Sequence, residues 1–341
     1  MKKILIALLV FLFLGAGTAA EAEIQNSSLI PSVITLGNGV EVYKYRLPDG
    51  STMTVTLNVS KEILLGSPDE ELALMGVPAR PVFQTDLDEW LEMYSNTNLD
   101  KPEEMEIASG QSPQYATYLE AWGGYVAGTF GVVNTSYVAV KANFVVPAST
   151  ESCTANPDIV AGFWVGLGGY SSLSNDLVQQ GIGWCSISTT NHWIPWTEFA
   201  MSQPPVAFCG YSSWYLNPGD VIYNNMSFQN STDTAYFYMQ NQTSGVSHSC
   251  SRSAPSGWTF NGNIAECISE RSPYYQLADY GSVHFSNCQV ELGSNSTWYP
   301  IGARSSVKQI ITGNPSRGLI YQATSTLGAD DKSFTMTFIR H

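Results

Sequence analysis

Short stretches in which apolar and polar residues alternate recur from Tyr115 onwards, and they constrain the fold more than any other feature. Examples are 136–145, 235–239, 282–290 and 333–339, and the breaks between them are rich in Gly, Pro, Asn and Ser. A period of two puts successive side chains on opposite faces of a β-strand, and these turn residues separate strands. The pattern predicts an all-β domain, a two-sheet antiparallel β-sandwich, and roughly 230 residues fit one such domain.

The first 22 residues have the pattern of a secretory signal peptide. Lys2 and Lys3 precede an apolar run over 4–14, and Ala20 and Ala22 form a small-residue cleavage pattern. A membrane span needs roughly 20 apolar residues. The sequence therefore predicts secretion to the extracellular space, with a signal peptide over 1–22 and no retained membrane anchor.

Charge and cysteine content divide the rest of the chain near residue 110. Residues 1–110 contain 7 Lys/Arg and 16 Asp/Glu, whereas 111–341 contain 8 and 13 together with all six cysteines. We therefore predict a propeptide over 23–112 and a β-sandwich domain over 113–341. An ordinary N-terminal domain that stays attached is the alternative.

Within the predicted propeptide, local patterns indicate both strands and a helix. Residues 40–45 and 53–59 alternate on either side of a Leu-Pro-Asp-Gly turn at 47–50, which predicts a hairpin. Residues 86–94 have helical spacing. We therefore expect a small α+β unit ahead of the sandwich.

Composition narrows the function classes further. The formal net charge is −14 and no basic block is present, so a nucleic-acid binder is unexpected. An even number of cysteines in an exported domain favours disulfides, although six cysteines permit fifteen pairings. The chain has no C-x-x-C, H-E-x-x-H or G-x-S-x-G motif. We predict no metal and no cofactor, so a hydrolase would rely on carboxylates and amides.

Three carboxylates of the longer segment lie in apolar, strand-like surroundings, namely Glu198, Glu266 and Glu270. An anion is disfavoured among apolar residues, so the pKa of such a carboxyl rises and it becomes a candidate acid or base. From spacing alone, a solvent-facing Glu on an alternating strand remains the more frequent explanation.

Gln179 lies in the motif LVQQGI at 177–182, and Glu270 ends the motif AECISE at 265–270. These motifs resemble those of the glutamic peptidases, the eqolisin family of acid endopeptidases. The sequence LVQQGI at 177–182 matches the family strand I-L-Q-T-G-[aromatic or apolar] and puts Gln179 in the place of the catalytic glutamine. AECISE at 265–270 matches A-E-[aromatic]-I-x-E, with Glu270 in the place of the catalytic glutamate and Cys267 where an aromatic is usual. Further motifs follow in the family's order: WGG at 122–124, the V-P strand at 140–147, WVG at 164–166, WTE at 196–198, PGD at 218–220 and VHF at 283–285.

This resemblance covers about residues 118–295, and two positions depart from it. The family has an acidic residue two positions after the glycine of W-V-G, where it helps to hold the glutamine, but Gly168 stands there. Whether Asp176 takes its place is open. Gln180 occupies the family's threonine position. Since side chains alternate along a strand, one of the two glutamines faces the cleft, and motif position favours Gln179.

The resemblance implies a secreted, pepstatin-insensitive acid endopeptidase that is made as a zymogen, acts on polypeptides and has a concanavalin- or lectin-like sandwich fold. Glu270 would act as the general base and then as the acid, and Gln179 would stabilise the oxyanion while staying neutral at every pH. The residues expected to bind substrate or support this pair are Trp164, Trp196, Glu198 and Glu266. We also expect a monomer.

A carbohydrate-active or carbohydrate-binding β-sandwich is the alternative function. Its catalytic pair would be Glu266 and Glu270. Four residues along a strand span roughly 13 Å, whereas a retaining glycosidase pair needs about 5 Å. A glycosidase would therefore need a bulge between the two residues, and a binding-only module stays open.

Overall fold

The protein is described by a computed structural model that covers most of the chain. It describes residues 30–47, 51–81, 84–95, 121–128, 137–149, 151–155, 159–169, 176–185, 190–200, 205–271, 275–293, 297–304, 308–310, 312–314 and 319–341. The predicted signal peptide at 1–22 and the end of the predicted propeptide at 96–112 lie outside these residues. No helix among the described residues is long and apolar enough to cross a membrane.

The N-terminal part contains a hairpin and three helices. Its elements are β1 (Ser32–Thr35), β2 (Glu41–Arg46), β3 (Thr52–Leu57), α1 (Lys61–Gly66), α2 (Asp69–Leu74) and α3 (Gln84–Tyr94). Strands β2 and β3 pair antiparallel across the predicted turn, and α3 contains the stretch with helical spacing. The predictions of a hairpin and a helix in this region are therefore confirmed.

The rest of the chain is built almost entirely of strands. They are β4 (Trp122–Gly128), β5 (Tyr137–Val145), β6 (Ile159–Leu167), β7 (Val178–Trp184), β8 (Trp193–Phe199), β9 (Val206–Ala207), β10 (Val221–Gln229), β11 (Thr234–Asn241), β12 (Ser247–Ser253), β13 (Ile264–Glu270), β14 (Gln276–Leu277), β15 (Ser282–Leu292), β16 (Trp298–Pro300), β17 (Lys308–Ile310), β18 (Thr312–Asn314), β19 (Leu319–Thr324) and β20 (Phe334–Phe338). Strands β5, β11, β15 and β20 coincide with the four alternating stretches of the sequence.

These strands form two sheets that pack face to face, which confirms the two-sheet β-sandwich. Within the described residues, the large sheet has the order β1-β2-β3-β12-β11-β10-β5-β15-β20-β19-β18, and β16 pairs with β15. The small sheet has the order β17-β4-β13-β6-β7-β8-β9, and β14 pairs with β6. Phe163 of the small sheet meets Phe144 and Phe285 of the large sheet, with ring centroids 6.3 Å apart in both pairs.

The central strands of the small sheet are buried on both faces. Every described residue of β6, β7 and β8 is buried except Val160, which is half-buried. Their inner face contributes to the main core, and their outer face contributes to a second apolar cluster that includes Trp122, Trp164 and Trp196. A polar side chain on the outer face is therefore shielded from water. Such burial raises the pKa of a carboxyl.

Four of the six cysteines form disulfides, as the sequence analysis favoured. The bonds are Cys153–Cys185 and Cys209–Cys250, and the first of them joins the segment before β6 to the end of β7. Cys267 and Cys288 are buried free thiols. They come from opposite sheets and contact each other inside the sandwich, where their burial and mutual interaction raise the pKa of the Cys288 thiol.

The N-terminal unit, residues 30–95, docks on the large sheet. Strand β3 pairs with β12 and so continues the sheet, and one face of the hairpin, including Tyr45 and Val55, belongs to the main core. On α3, the Glu89 carboxylate accepts hydrogen bonds from Lys141 Nζ at 3.0 Å and from the Tyr223 hydroxyl at 2.6 Å. The unit thus contacts the sheet opposite the one that carries the predicted site residues.

Candidate active site

The predicted site residues lie on four neighbouring strands of the small sheet, in the order β13-β6-β7-β8. Strand register aligns them in rows, because paired residues on adjacent strands point to the same face. One row contains Glu266, Gly166, Gln179 and Glu198, and the next contains Ile268, Trp164, Gly181 and Trp196. Glu270 follows on the same face of β13. All six predicted residues are therefore together on the outer face.

The two adjacent glutamines point to opposite faces. Gln179 lies on the outer face, where its Nε2 donates a hydrogen bond of 2.6 Å to Glu198 Oε2. Gln180 lies inside the sandwich, where its Nε2 donates to the Tyr238 carbonyl at 2.8 Å. Strand alternation thus separates them, and Gln179 is the glutamine on the face of the candidate site.

Two tryptophans hold the Glu270 carboxyl. Trp164 Nε1 donates to Glu270 Oε2 at 2.8 Å, and Trp122 Nε1 donates to Glu270 Oε1 at 3.3 Å. The two indoles pack edge to face, with ring centroids 5.0 Å apart. Burial raises the pKa of Glu270 to about 7, and the two indole hydrogen bonds oppose that rise because they stabilise the anion.

The Glu198 carboxyl is even more strongly perturbed. Burial raises the pKa of Glu198 to about 8, the Gln179 hydrogen bond opposes the rise, and the nearby Glu270 adds to it. Arg252 of the large sheet lowers the pKa of Glu198, and its Nη1 donates to Thr197 Oγ1 at 3.3 Å. The electrostatic interaction between the two glutamates shows that their carboxyls lie near each other.

Glu266 is fully buried and lacks a hydrogen-bond partner for either side-chain oxygen among the described residues. Burial raises the pKa of Glu266 well above its usual range, and Asp176 adds to the rise. Its cross-strand neighbour Gly166 has no side chain, and a Cβ there would lie 2.8 Å from the Trp164 ring and 3.2 Å from Glu266 Oε2. The glycine thus leaves room for both the Trp164 ring and the Glu266 carboxyl.

The glycine at the family's acidic position has a structural reason. Gly168 has φ +85°, and a Cβ on it would lie 2.8 Å from the Asp176 carboxyl carbon. The Asp176 carboxylate occupies that space and accepts hydrogen bonds from the backbone N–H groups of Gly169 at 2.9 Å and Asn261 at 3.2 Å. A carboxylate from the segment just before β7 therefore fills the place that a side chain at position 168 would take.

Comparison with known proteins decides the family. The sequence matches the model of the Peptidase A4 family over residues 120–337. The chain belongs to this family. It is thus a glutamic peptidase, the resemblance found in the sequence is confirmed, and its substrates are polypeptides.

Solved glutamic peptidases are similar to this peptidase in fold. Scytalido-glutamic peptidase, solved with a transition state analog inhibitor, is 17% identical, with a TM-score of 0.51 over 64% of this chain and 98% of that chain. SCP-B, an eqolisin solved in a complex with the tripeptide Ala-Ile-His, is 18% identical with a TM-score of 0.48, over 64% and 98%. Aspergilloglutamic peptidase from Aspergillus niger is 22% identical with a TM-score of 0.39, over 53% and 99%. No curated protein sequence matches this peptidase.

Two residues of the candidate site were not among the predicted ones. Trp122 belongs to the W-G-G motif, so the motif could have identified it as a site residue. Its hydrogen bond to Glu270, however, spans 148 residues of sequence. Asp176 had only its proximity to Gln179 as a signal. Among the described residues, no group of three or more His, Cys, Asp or Glu could hold a metal ion.

Proposed function

We propose that this peptidase hydrolyses peptide bonds within polypeptides with Glu270 as general base and Gln179 as oxyanion stabiliser. The observation that carries the proposal is the buried outer face on which the indole-bound Glu270 stands near the Gln179–Glu198 pair. Peptide hydrolysis needs a base for water, a donor for the oxyanion and an acid for the leaving nitrogen. These three tasks can be assigned to the two side chains.

The Glu270 carboxylate would take a proton from the attacking water as the water oxygen bonds to the peptide carbonyl carbon. The tetrahedral intermediate then collapses, the carbon–nitrogen bond breaks, and Glu270 gives the proton to the leaving nitrogen. Glu270 returns to the carboxylate, and the products are a carboxylic acid and an amine. Trp164 and Trp122 would orient the carboxyl through their indole hydrogen bonds.

Gln179 has the chemistry that an oxyanion site needs. Its amide nitrogen carries two hydrogens. One is used by Glu198 at 2.6 Å, which leaves the other free to donate to the oxyanion. The amide is neutral at every pH, so acid does not abolish its donor function. Glu198 would support the amide, and Trp196 would line the site in the row between Glu198 and Glu270.

The pH range of activity would follow the Glu270 carboxylate. Burial is the largest cause of its raised pKa of about 7. Glu270 is half-buried, so water in the cleft of the free enzyme can hydrate its carboxyl and move the pKa towards its ordinary value of 4.5. We therefore expect the acid limb of kcat/KM between pH 4.5 and 7, which fits an endopeptidase that works in mild acid. A Glu/Gln pair lacks the shared proton of a two-carboxylate dyad, so we also propose that pepstatin does not inhibit it.

Digestion of a denatured protein at acid pH tests this function. The wild type should cleave with and without pepstatin, Gln179→Ala should lose about 100- to 1,000-fold in kcat, and Glu270→Gln should lose more. Gln240→Ala, which changes a half-buried glutamine of the large sheet, is the matched control and should keep full activity. Full activity in both site variants would overturn the proposal.

Secretion and zymogen processing are further parts of the proposal. The N-terminal signal pattern and the two disulfides support secretion, since disulfides persist in oxidising compartments. N-terminal sequencing should find a mature start between about residues 100 and 118, and a start only at Glu21 or Glu23 would refute a removed propeptide. Because the hairpin contributes to the main core, a cleaved N-terminal unit should stay bound. Two bands on a denaturing gel and one monomer-sized species by light scattering would show this.

The carbohydrate-active alternative gains no support from the strand geometry. Glu266 and Glu270 lie on β13, whose pairing with β4 and with β6 runs without a register shift. Four residues of regular strand keep the two positions roughly 13 Å apart, whereas a retaining pair needs about 5 Å. A binding-only role would be favoured by glycan binding in the absence of any proteolysis.

A further inference from the structure

Two buried polar groups on the row that contains Gln179 lack partners. Gln179 Oε1 has no hydrogen-bond donor among the described residues, and neither do the two oxygens of Glu266. A buried polar atom without a partner is costly, so such groups in a folded protein usually have a function or a bridging water. The Gln179 amide is neutral, and burial favours the neutral form of the Glu266 carboxyl. The two residues lie on either side of Gly166.

The two ends of a glutamine amide have nearly the same shape, so hydrogen bonds decide which end faces the cleft. As a carboxylate, Glu198 fixes the orientation of the Gln179 amide, because a carboxylate only accepts hydrogen bonds and therefore pairs with Nε2. Its pKa of about 8 makes it a neutral acid at the pH where the peptidase is proposed to work. A neutral carboxyl can accept from Nε2 of Gln179 or donate to Oε1, so Glu198 alone does not fix the amide in acid.

Glu266 stands where a second group could remove that ambiguity. Gly166 pairs with Glu266 on one side and with Gln179 on the other. Glu266 Oε2 lies 3.2 Å from the position of the missing Gly166 Cβ. Strands two apart in a sheet are separated by about 10 Å. The Glu266 carboxyl extends over the intervening Gly166, so one water molecule can link it to Gln179 Oε1.

We propose that Glu266 is a positioning residue for Gln179: as a neutral acid it donates its carboxyl hydrogen towards Gln179 Oε1, through one water molecule, and so keeps Nε2 turned to Glu198 and the cleft. The inference rests on the proposed function and deepens it, since it explains how an amide keeps its orientation in acid. Only a donor satisfies a carbonyl oxygen, so the proton on Glu266 is essential to this role.

The surroundings of Glu266 favour its neutral form. The carboxyl is fully buried, and the Asp176 carboxylate that fills the space at Gly168 lies near it. Cys267, the next residue on β13, also disfavours a negative charge on Glu266. Burial and these two neighbours thus keep the proton on Glu266.

Two substitutions of Glu266 separate its possible roles. Glu266→Gln keeps a hydrogen donor of the same shape, whereas Glu266→Met keeps the volume and removes the donor. We expect kcat of Glu266→Met to fall about tenfold with KM nearly unchanged, and kcat of Glu266→Gln to stay within about threefold of the wild type. Ile264→Met, on the same face of β13, controls for altered packing and should keep its kcat.

Melting temperatures and infrared spectra of the Glu266 variants distinguish a positioning role from a merely structural one. Glu266→Met should unfold at about the same temperature as the wild type, because the loss of the water-mediated hydrogen bond to Gln179 Oε1 is offset by removal of a fully buried carboxyl. The wild type should show the carbonyl band of a protonated carboxyl at pH 7, and this band should be weaker in Glu266→Gln.

Equal losses of kcat in Glu266→Gln and Glu266→Met would overturn the proposal, because they would indicate a need for the negative charge. Full kcat in Glu266→Met, or loss of kcat in Ile264→Met as well, would overturn it too. If the wild type cleaves and Glu266→Met matches it, this inference alone fails. If the wild type cleaves nothing, the proposed function fails and the inference fails with it.

Discussion

The hydrogen bond from Trp164 to Glu270 offers the sharpest test of the proposed base. Trp164→Phe keeps an aromatic ring in the outer cluster but removes the indole N–H that donates to Glu270 Oε2 at 2.8 Å. This bond stabilises the carboxylate and therefore lowers the pKa of Glu270. Without it the pKa rises. The carboxylate then forms only at higher pH, and the acid limb of kcat/KM moves upwards.

The size of the shift follows from the energy of that bond. A hydrogen bond to a charged group contributes about 1.5–3 kcal/mol, and one pKa unit corresponds to about 1.4 kcal/mol. Removal of the Trp164 donor should therefore move the acid limb by about 1–2 pH units. Trp122→Phe removes the longer bond of 3.3 Å to Glu270 Oε1 and should move the limb by less.

The assay is kcat/KM on a peptide cut from a mapped digest, measured across the acid and neutral range for the wild type and both variants. Gel filtration and circular dichroism at each pH confirm that the variants are folded. An acid limb that stays in place in Trp164→Phe, or moves to lower pH, would contradict the assignment of Glu270 as the base. A larger shift in Trp122→Phe than in Trp164→Phe would contradict the hydrogen-bond geometry.

Three further predictions concern stability and docking. Glu198 and Glu270 have raised pKa values in the fold, so their contribution to stability is fully present below pH 4.5 and is lost as pH rises through 7 to 8. His248 has a pKa lowered to about 4, so its contribution to stability instead increases with pH, but it is a single group. Chemical unfolding should therefore show that the free energy of unfolding falls by an amount on the order of several kcal/mol between pH 4.5 and 8. In Glu198→Gln, the free energy of unfolding should depend less on pH. Gly181→Ala should abolish activity and lower the melting temperature, because its Cβ would lie 2.2 Å from a carbonyl oxygen of β6; an unchanged melting temperature would contradict this. Glu89→Gln should make the N-terminal unit more sensitive to limited proteolysis with trypsin, since it removes the ion pair to the lysine of β5. Unchanged cleavage would show that the pair does not hold this unit.

The sandwich could be predicted because its signals are local. Alternation of apolar and polar residues is a property of a few neighbouring positions, and it identified β5, β11, β15 and β20 as well as the hairpin β2–β3. Alternation also implied that Gln179 and Gln180 face opposite ways, since side chains of a strand switch faces at each residue. The motif spacing added the candidate residues Gln179 and Glu270.

The working environment of those residues was decided only by the tertiary structure. The indole of Trp164 lies 106 residues from Glu270 in sequence, and Glu198 meets Gln179 only because β7 and β8 pair in one particular register. The disulfide partners and the free Cys267–Cys288 contact likewise depend on how the strands are packed. Contacts between distant strands have no signal in local periodicity.

Position 168, where the family has an acidic residue, shows most clearly what the sequence determines and what only the tertiary structure decides. In the sequence, Gly168 was a departure and Asp176 an open question. In the fold, the Asp176 carboxylate occupies the space beside Gly168 and lies near Glu266. The sequence by itself determined the sandwich, the family motifs and the opposite faces of Gln179 and Gln180, because these depend on neighbouring residues. Strand register and burial determined which carboxyls have raised pKa values and what each one contacts, because these depend on the whole packed chain.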